Sequence, residues 1–287
     1  MDTQRELNNI FTIAAKEFRD YIKSKRFILV GILYAVMALA IIGITLLIFN
    51  NYKSIGMASQ FKPSAVLSMM DILNLILVLL AVIITADTIS AEKKDRTIYQ
   101  LLSKPVERST VVWGKFVGCL GVVSFFFTSS SLLAYALIAI LTGVYPPAGD
   151  VMNVLEVIVF MILLFSVYVA LGILISAVTK NPLISILGGV IAWMAFFFSN
   201  AIGGAMGNLA INSGSTIVLG DPFPQYPIYA KILVLIDPIS HDVVNFLLGS
   251  SQYPPDGMPA WANVIFLLAY AGILLLVSVE LFKRQDI

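Results

Sequence analysis

The chain has 287 residues, of which 59% are hydrophobic and 12% charged, and its formal net charge is +1. An ordinary soluble domain carries about 25% charged residues, so this balance excludes a soluble fold, which would leave large apolar patches in water. The near-zero charge excludes a basic nucleic-acid surface, and a single cysteine, Cys119, excludes a disulfide within the chain.

In chain order, residues 1–26 come first. Leu7, Ile10, Phe11, Ala14, Phe18 and Ile22 recur at helical steps, while Lys16, Glu17, Arg19, Asp20 and Lys23 fill much of the rest. That spacing predicts a cytoplasmic amphipathic helix. No cleavable signal is expected, because this stretch is charged and the apolar run after it is too long. Two roles stay open: a membrane-surface anchor, or an elbow that guides the chain into the bilayer and helps to bind a partner.

A spanning helix needs about 20 mostly apolar residues. Phe27–Phe49, Ile72–Ala91, Val111–Thr142, Val154–Val178, Leu183–Ile202 and Trp261–Phe282 meet this length. The expected fold is therefore an all-α integral membrane protein, with a six-span transmembrane domain over residues 27–287. Only Thr179–Pro182 separates the fourth and fifth spans, which implies a tight hairpin, and a partly re-entrant course for Val154–Ile202 stays open. Of the 18 Lys and Arg residues, 15 fall on one side of these spans; Lys53, Lys62 and Lys231 fall on the other. Cytoplasmic loops hold the basic excess, so both termini are expected in the cytoplasm of a multi-pass cell-membrane protein.

Two connecting segments stand out. In the cytoplasmic loop 92–110, Asp95 or Thr97 is placed to cap a short helix with Ile98, Leu101 and Leu102 on one stripe. Pro105 would end that helix, and Ser109 would cap the next one. Such a helix suits a groove on another protein, and the plainer reading is a solvated basic loop. The external segment 203–259 alternates apolar stretches with turn chemistry at Gly220–Pro227, Asp237–Pro238 and Gln252–Pro259. It is expected as short helices lying on or dipping into the outer leaflet, or as a small external cap.

The sequence holds no GxxxxGK[ST] phosphate loop and no paired metal ligands. The sole histidine, His241, reads as a solvated or capping residue. Ser124 and Ser129–Ser131 lack the setting of a nucleophile, so no catalytic residues are assigned and the chain is not expected to be an enzyme. Asp71, Asp87, Glu156 and Glu280 all fall near span ends, with no carboxylate at mid-depth for an ion-coupled transporter.

The run Glu92, Arg96-Thr97, Leu101-Leu102-Ser103, Pro105-Val106, Arg108 and Gly114-Lys115 resembles the type-2 ABC transporter permease family. Members carry an acidic residue, a Gly-Thr or similar pair, Leu-Leu-Ser-x-Pro-Val-x-Arg, then Gly-Lys; here Arg96 stands where the pattern has glycine. The resemblance covers the whole chain and is nearest the subgroup containing the permease of the nitrous-oxide reductase maturation system. It implies a membrane subunit that pairs with a second permease copy as a homodimer and receives two copies of a separate ABC ATPase. ATP and Mg would belong to that ATPase, with no cofactor on this chain. The ATPase-coupling residues implied are Glu92, Arg96, Thr97, Ile98, Leu101, Leu102 and Pro105, assisted by Phe11, Phe18 and Arg19 of the elbow helix. Asn74, Thr85, Trp193 and Asn200 would line a central substrate pathway. The expected function is export of a lipid-like, peptide or drug-like substrate. The alternatives are mechanical action on an external partner without solute movement, then a secondary transporter or an intramembrane enzyme.

Overall fold

A computed structural model describes residues 3–97, 107–212, 228–242, 244–248 and 259–284. Among these residues the regular structure is helical throughout, with no strand. Helix α1 spans Thr3–Ile22, and α2 spans Lys25–Ser54 behind Ser24, whose hydroxyl oxygen accepts from the Phe27 amide at 3.1 Å. A 3-10 turn at Ala58–Gln60 leads to α3 (Ala65–Ala86) and the short α4 (Ser90–Lys94). Helix α5 (Arg108–Thr142) closes on Gly143, whose φ of 68° is the left-handed conformation that glycine adopts without a Cβ clash. Helices α6 (Ala148–Val178) and α7 (Pro182–Asn212) form a tight hairpin, where the Asn181 side chain accepts from the Leu183 amide at 3.0 Å. The described chain continues through α8 (Ile228–Leu235), a 3-10 turn at Pro238–His241, α9 (Val244–Leu247) and α10 (Ala260–Lys283).

Six of these stretches are long and apolar enough to cross a membrane, with the bulk of α3 and α4 counting as one, so the all-α six-span expectation holds. Helices α3 and α6 form the inner pair: Leu77, Val78, Ala81 and Val82 meet a core that includes Leu164, Phe165 and Tyr168. The outer helices keep an apolar surface, with Leu29, Ile32 and Val36 of α2 and Leu183, Leu187 and Ile191 of α7 all exposed. Lipid is as apolar as these side chains, so close approach of backbones has to supply the packing. Glycines provide it around α3. A Cβ at Gly172 of α6 would run into the Thr85 hydroxyl, and one at Gly189 of α7 would stand 2.8 Å from Val82 Cγ1.

The boundaries depart from expectation in four places. The second span is broken at residues 87–89, and the first two free amides of the new helix, Ile89 and Ser90, donate to Ser176 Oγ on α6 at 2.9 and 3.0 Å. The third span starts at Arg108 behind Glu107; Ser109, the expected cap, lies inside the first turn and donates to Glu107 Oε2 at 3.1 Å. The fourth starts at Ala148, and its buried Asp150 accepts from Ser64 at 2.5 Å and Tyr135 at 3.2 Å, which offsets the cost of an early carboxylate. The fifth runs on to Asn212, and both α6 and α7 are unbroken, so the Val154–Ile202 pair is not re-entrant.

The segment read from sequence as short helices on or dipping into the outer leaflet turns back against the bundle. Helix α8 lies along α7, where Gly203 admits the Ala230 carbonyl and Ser199 Oγ donates to the Leu233 carbonyl at 2.5 Å. Asp237 is then buried within the bundle, accepting from Tyr168 at 2.8 Å and Asn200 at 3.2 Å. Asp237 thus joins Asp150 of α6 as a buried carboxylate among the described residues, and it comes from the returning segment. His241, expected solvated or capping, is fully buried. Its Nδ1 meets the Asn263 amide at 2.9 Å, its Nε2 faces the Leu235 carbonyl at 3.2 Å, and its ring lies 4.3 Å from that of Phe266.

Candidate functional site

Helix α1 docks on the first turns of α5 because α5 offers glycine there. A Cβ at Gly114 would stand 2.7 Å from Ile13 Cβ, and one at Gly118 would stand 2.8 Å from the Ala14 carbonyl. The close contact buries Ile13, Ala14 and Glu17 of α1, and Lys115 of α5, which is 1% exposed. The Lys115 ammonium has three donors and finds three acceptors: Glu17 Oε1 at 2.8 Å, Glu92 Oε1 at 2.9 Å and the Thr88 carbonyl at 3.0 Å. Thr88 Oγ1 donates to Glu17 Oε2 at 3.3 Å, and Lys16 reaches Glu92 at 3.4 Å from the rim. Two lysines and two glutamates thus balance in charge, joining α1, the break in the second span, α4 and α5 at one point.

Other basic residues at this end hold helix termini. Lys93 donates to the Ala177 carbonyl and, at 3.4 Å, to the Thr179 carbonyl, filling orphan acceptors where α6 ends. Arg108 donates to the carbonyls of Phe282 and Lys283 at 3.3 and 3.0 Å, doing the same for α10. Tyr21 of α1 ties that helix to the second span by donating to the Ile84 carbonyl at 2.9 Å, and desolvation raises its phenol well above the usual tyrosine range.

The expected coupling residues divide into two sets. Glu92 lies in α4 within the ion cluster, whereas Arg96 and Thr97 are exposed just after it. Arg96 has a φ of 59°, the left-handed conformation that costs a residue with a Cβ about 1–2 kcal/mol. It is the position where the family pattern has glycine, so the departure in sequence falls on a glycine-type backbone. Ile98, Leu101, Leu102 and Pro105 lie outside the described residues. On α1, Phe11 and Arg19 are on the exposed face, and Phe18 turns inward to stack edge-on with Phe125 at 5.9 Å. Sequence reasoning missed the roles of Glu17, Thr88, Lys115 and Ser176. A lysine inside an apolar run, one residue after a glycine that recurs four residues later, was the available signal.

The expected pathway residues take different settings in the bundle. Asn74 lines a cavity of about 450 Å³ between α3, α6 and the returning segment, together with Asp71, Asp242, Asn245, Met161 and Leu164. Thr85 is fully buried in the seam against Gly172, its hydroxyl donating to the Ala81 carbonyl of its own helix at 2.7 Å. Asn200 holds Asp237, and Trp193 is half-buried on α7, stacked on Phe197 at 6.0 Å. Among the described residues, no group of three or more His, Cys, Asp or Glu side chains is arranged to hold a metal ion.

A family model described as "ABC-2 family transporter protein" matches residues 11–287. The chain is also similar to a probable ABC transporter permease protein NosY of Stutzerimonas stutzeri, 29% identical over 112 residues, or 39% of each chain. The corresponding NosY of Pseudomonas aeruginosa is 27% identical over 109 residues, or 38% of each chain. The chain thus matches about two fifths of the length of these curated relatives.

Proposed function

The chain belongs to the ABC-2 family of transporter proteins, and from that premise we propose that it is the membrane permease subunit of an ABC exporter. It is a multi-pass membrane protein, and ATP hydrolysis falls to a separate ABC ATPase that the permease receives at the end carrying α1, α4 and the start of α5. The observation that supports this placement is the buried Glu17–Lys115–Glu92 cluster, which ties together the described helices on either side of residues 98–106. A force applied to that loop is carried by α4 into α3, and α3 is clasped by α6 and α7 through Gly172 and Gly189. The reading includes both termini in the cytoplasm, a homodimer with two ATPase copies, and outward movement of a lipid-like, peptide or drug-like substrate. Phe11 and Arg19, on the free face of α1, suit a supporting contact with the ATPase.

Leu101→Asp in the reconstituted permease–ATPase complex tests the assignment. A charge forced into a desolvated groove costs several kcal/mol, so substrate-stimulated ATPase activity should fall by about tenfold or more while the permease melts normally. Unchanged stimulation in that variant would overturn the coupling role of the loop.

A further inference from the structure

The cavity beside Asn74 has a chemistry that neither the family membership nor the coupling end explains. At its polar end, Asp71 of α3 and Asp242 of the returning segment are hydrogen-bonded to each other. Asn74 Nδ2 donates to Asp71 Oδ1 at 2.9 Å, and Asn245 Nδ2 donates to Asp71 Oδ2 at 3.2 Å. Asp242 Oδ1 accepts from the Val244 amide at 2.8 Å. Asn74 is only 7% exposed, and with its amide nitrogen committed to Asp71, its Oδ1 is buried without a donor among the described residues. A buried, donor-less carbonyl oxygen beside two carboxyl groups calls for a ligand that brings N–H donors and positive charge. Apart from Ser68 the remaining described lining is apolar and includes Met161 and Leu164 of α6, and among the described residues it holds no Lys, Arg or His.

We propose that this cavity is a binding site for an amphiphilic amine, with a primary ammonium group held by Asp71, Asp242 and the Asn74 carbonyl and the apolar body against Met161 and Leu164. The proposal rests on the exporter reading and names its substrate class. An ammonium offers three donors, which matches the two carboxyl groups and the one orphan oxygen. A volume of about 450 Å³ falls within the usual range for small-molecule sites.

The electrostatics of the acid pair agree with this. Burial, then the negative charge of Asp71, push the Asp242 carboxyl well above the usual carboxylate range. Neighbouring titratable groups face elsewhere: His241 towards Asn263 and the Leu235 carbonyl, Asp237 towards Tyr168 and Asn200. An ammonium seated between the two acids favours their charged forms, so its binding is linked to loss of a proton from Asp242. A raised carboxyl pKa favours the protonated form, so amine binding is weak at acid pH and strengthens as pH rises through that pKa, until the amine itself deprotonates.

The test uses the full chain in phosphatidylcholine nanodiscs, with octylamine and octanol as matched probes. Their binding is read from the shift in melting temperature and from equilibrium uptake at pH 5 and pH 8. Octylamine should bind about tenfold or more tighter than octanol at pH 8 and lose most of that preference at pH 5. Asp242→Asn and Asn74→Leu should each reduce the preference towards unity. Equal binding of the two probes to the unaltered protein, or a preference that ignores pH, would overturn the proposal without depending on any variant. Protection by Mg or Na ions as strong as that by octylamine would overturn it in favour of a metal site. Because binding needs no ATPase, a chain that discriminates the amines but shows no ATP-driven movement would fail the exporter reading alone.

Discussion

A lysine ammonium held out of water needs all three of its donors filled and its charge matched. Lys115 has this from Glu17, Glu92 and the Thr88 carbonyl. The arrangement is asymmetric in its consequences: forming it yields modest net stability, whereas removing one partner leaves uncompensated charge. Lys115→Met would leave Glu17 and Glu92 with only the exposed Lys16 ammonium at the rim to share, a loss of about 3–5 kcal/mol. Thermal unfolding of the purified permease measures it, and the added change Glu17→Gln should restore part of the loss, because one of the two stranded charges is gone. Sequence alone made the Gly114-Lys115 pair part of a family pattern. The reason for the pair is physical: the glycine gives α1 its approach, and the lysine holds it there.

At the scale of elements, the docking of α1 depends on which α5 positions lack a side chain. Gly118 lies against the Ala14 backbone, where nothing can give way, whereas a Cβ at Gly121 would sit 3.5 Å from the Phe18 ring, an ordinary contact. Gly118→Leu should therefore lift α1 from the bundle and expose the bonds after Lys16 and Arg19 to trypsin, while Gly121→Ala leaves them protected. Limited proteolysis in detergent distinguishes the two, and equal protection in both variants would contradict the packing. The amphipathic period of α1 was legible, and its direction was not. Ile10, Ala14 and Phe18 do turn towards α5, but Leu7 and Phe11 remain exposed and Ile13, Glu17 and Tyr21 take their place. A hydrophobic stripe locates a face to within a residue or two, and the glycines of the neighbouring helix choose the line along which it packs.

At the scale of the whole molecule, orientation depends on where the basic residues lie, and several of them also hold helix ends. Lys93 and Arg108 serve α6 and α10, so the charges that set topology are partly the caps of the helices that emerge on that side. Cys119 is buried, which suits single-cysteine labelling of the otherwise native chain. In intact cells, Tyr145→Cys, at a position 94% exposed in the turn between α5 and α6, should react with a membrane-impermeant maleimide. Asp95→Cys, exposed at the other end, should react only after permeabilisation. The opposite pattern would invert the assigned topology.

The amino-acid sequence by itself determined the number of spans, the tight turn at residues 179–181 and the amphipathic first helix, because each depends on local hydropathy and turn chemistry. It also carried the family pattern around Glu92–Lys115. The tertiary structure alone decided what the polar residues do. Ser176 fills the amides at a break in another helix, Lys115 joins three helices, and residues 228–248 fold back to bring Asp237, His241 and Asp242 inside the bundle. Hydropathy placed those last residues between two spans and left their course open, because it counts neighbours along the chain. Burial of a carboxyl or an imidazole depends instead on partners far away in sequence: Tyr168, Asn200, Asn263 and Asp71.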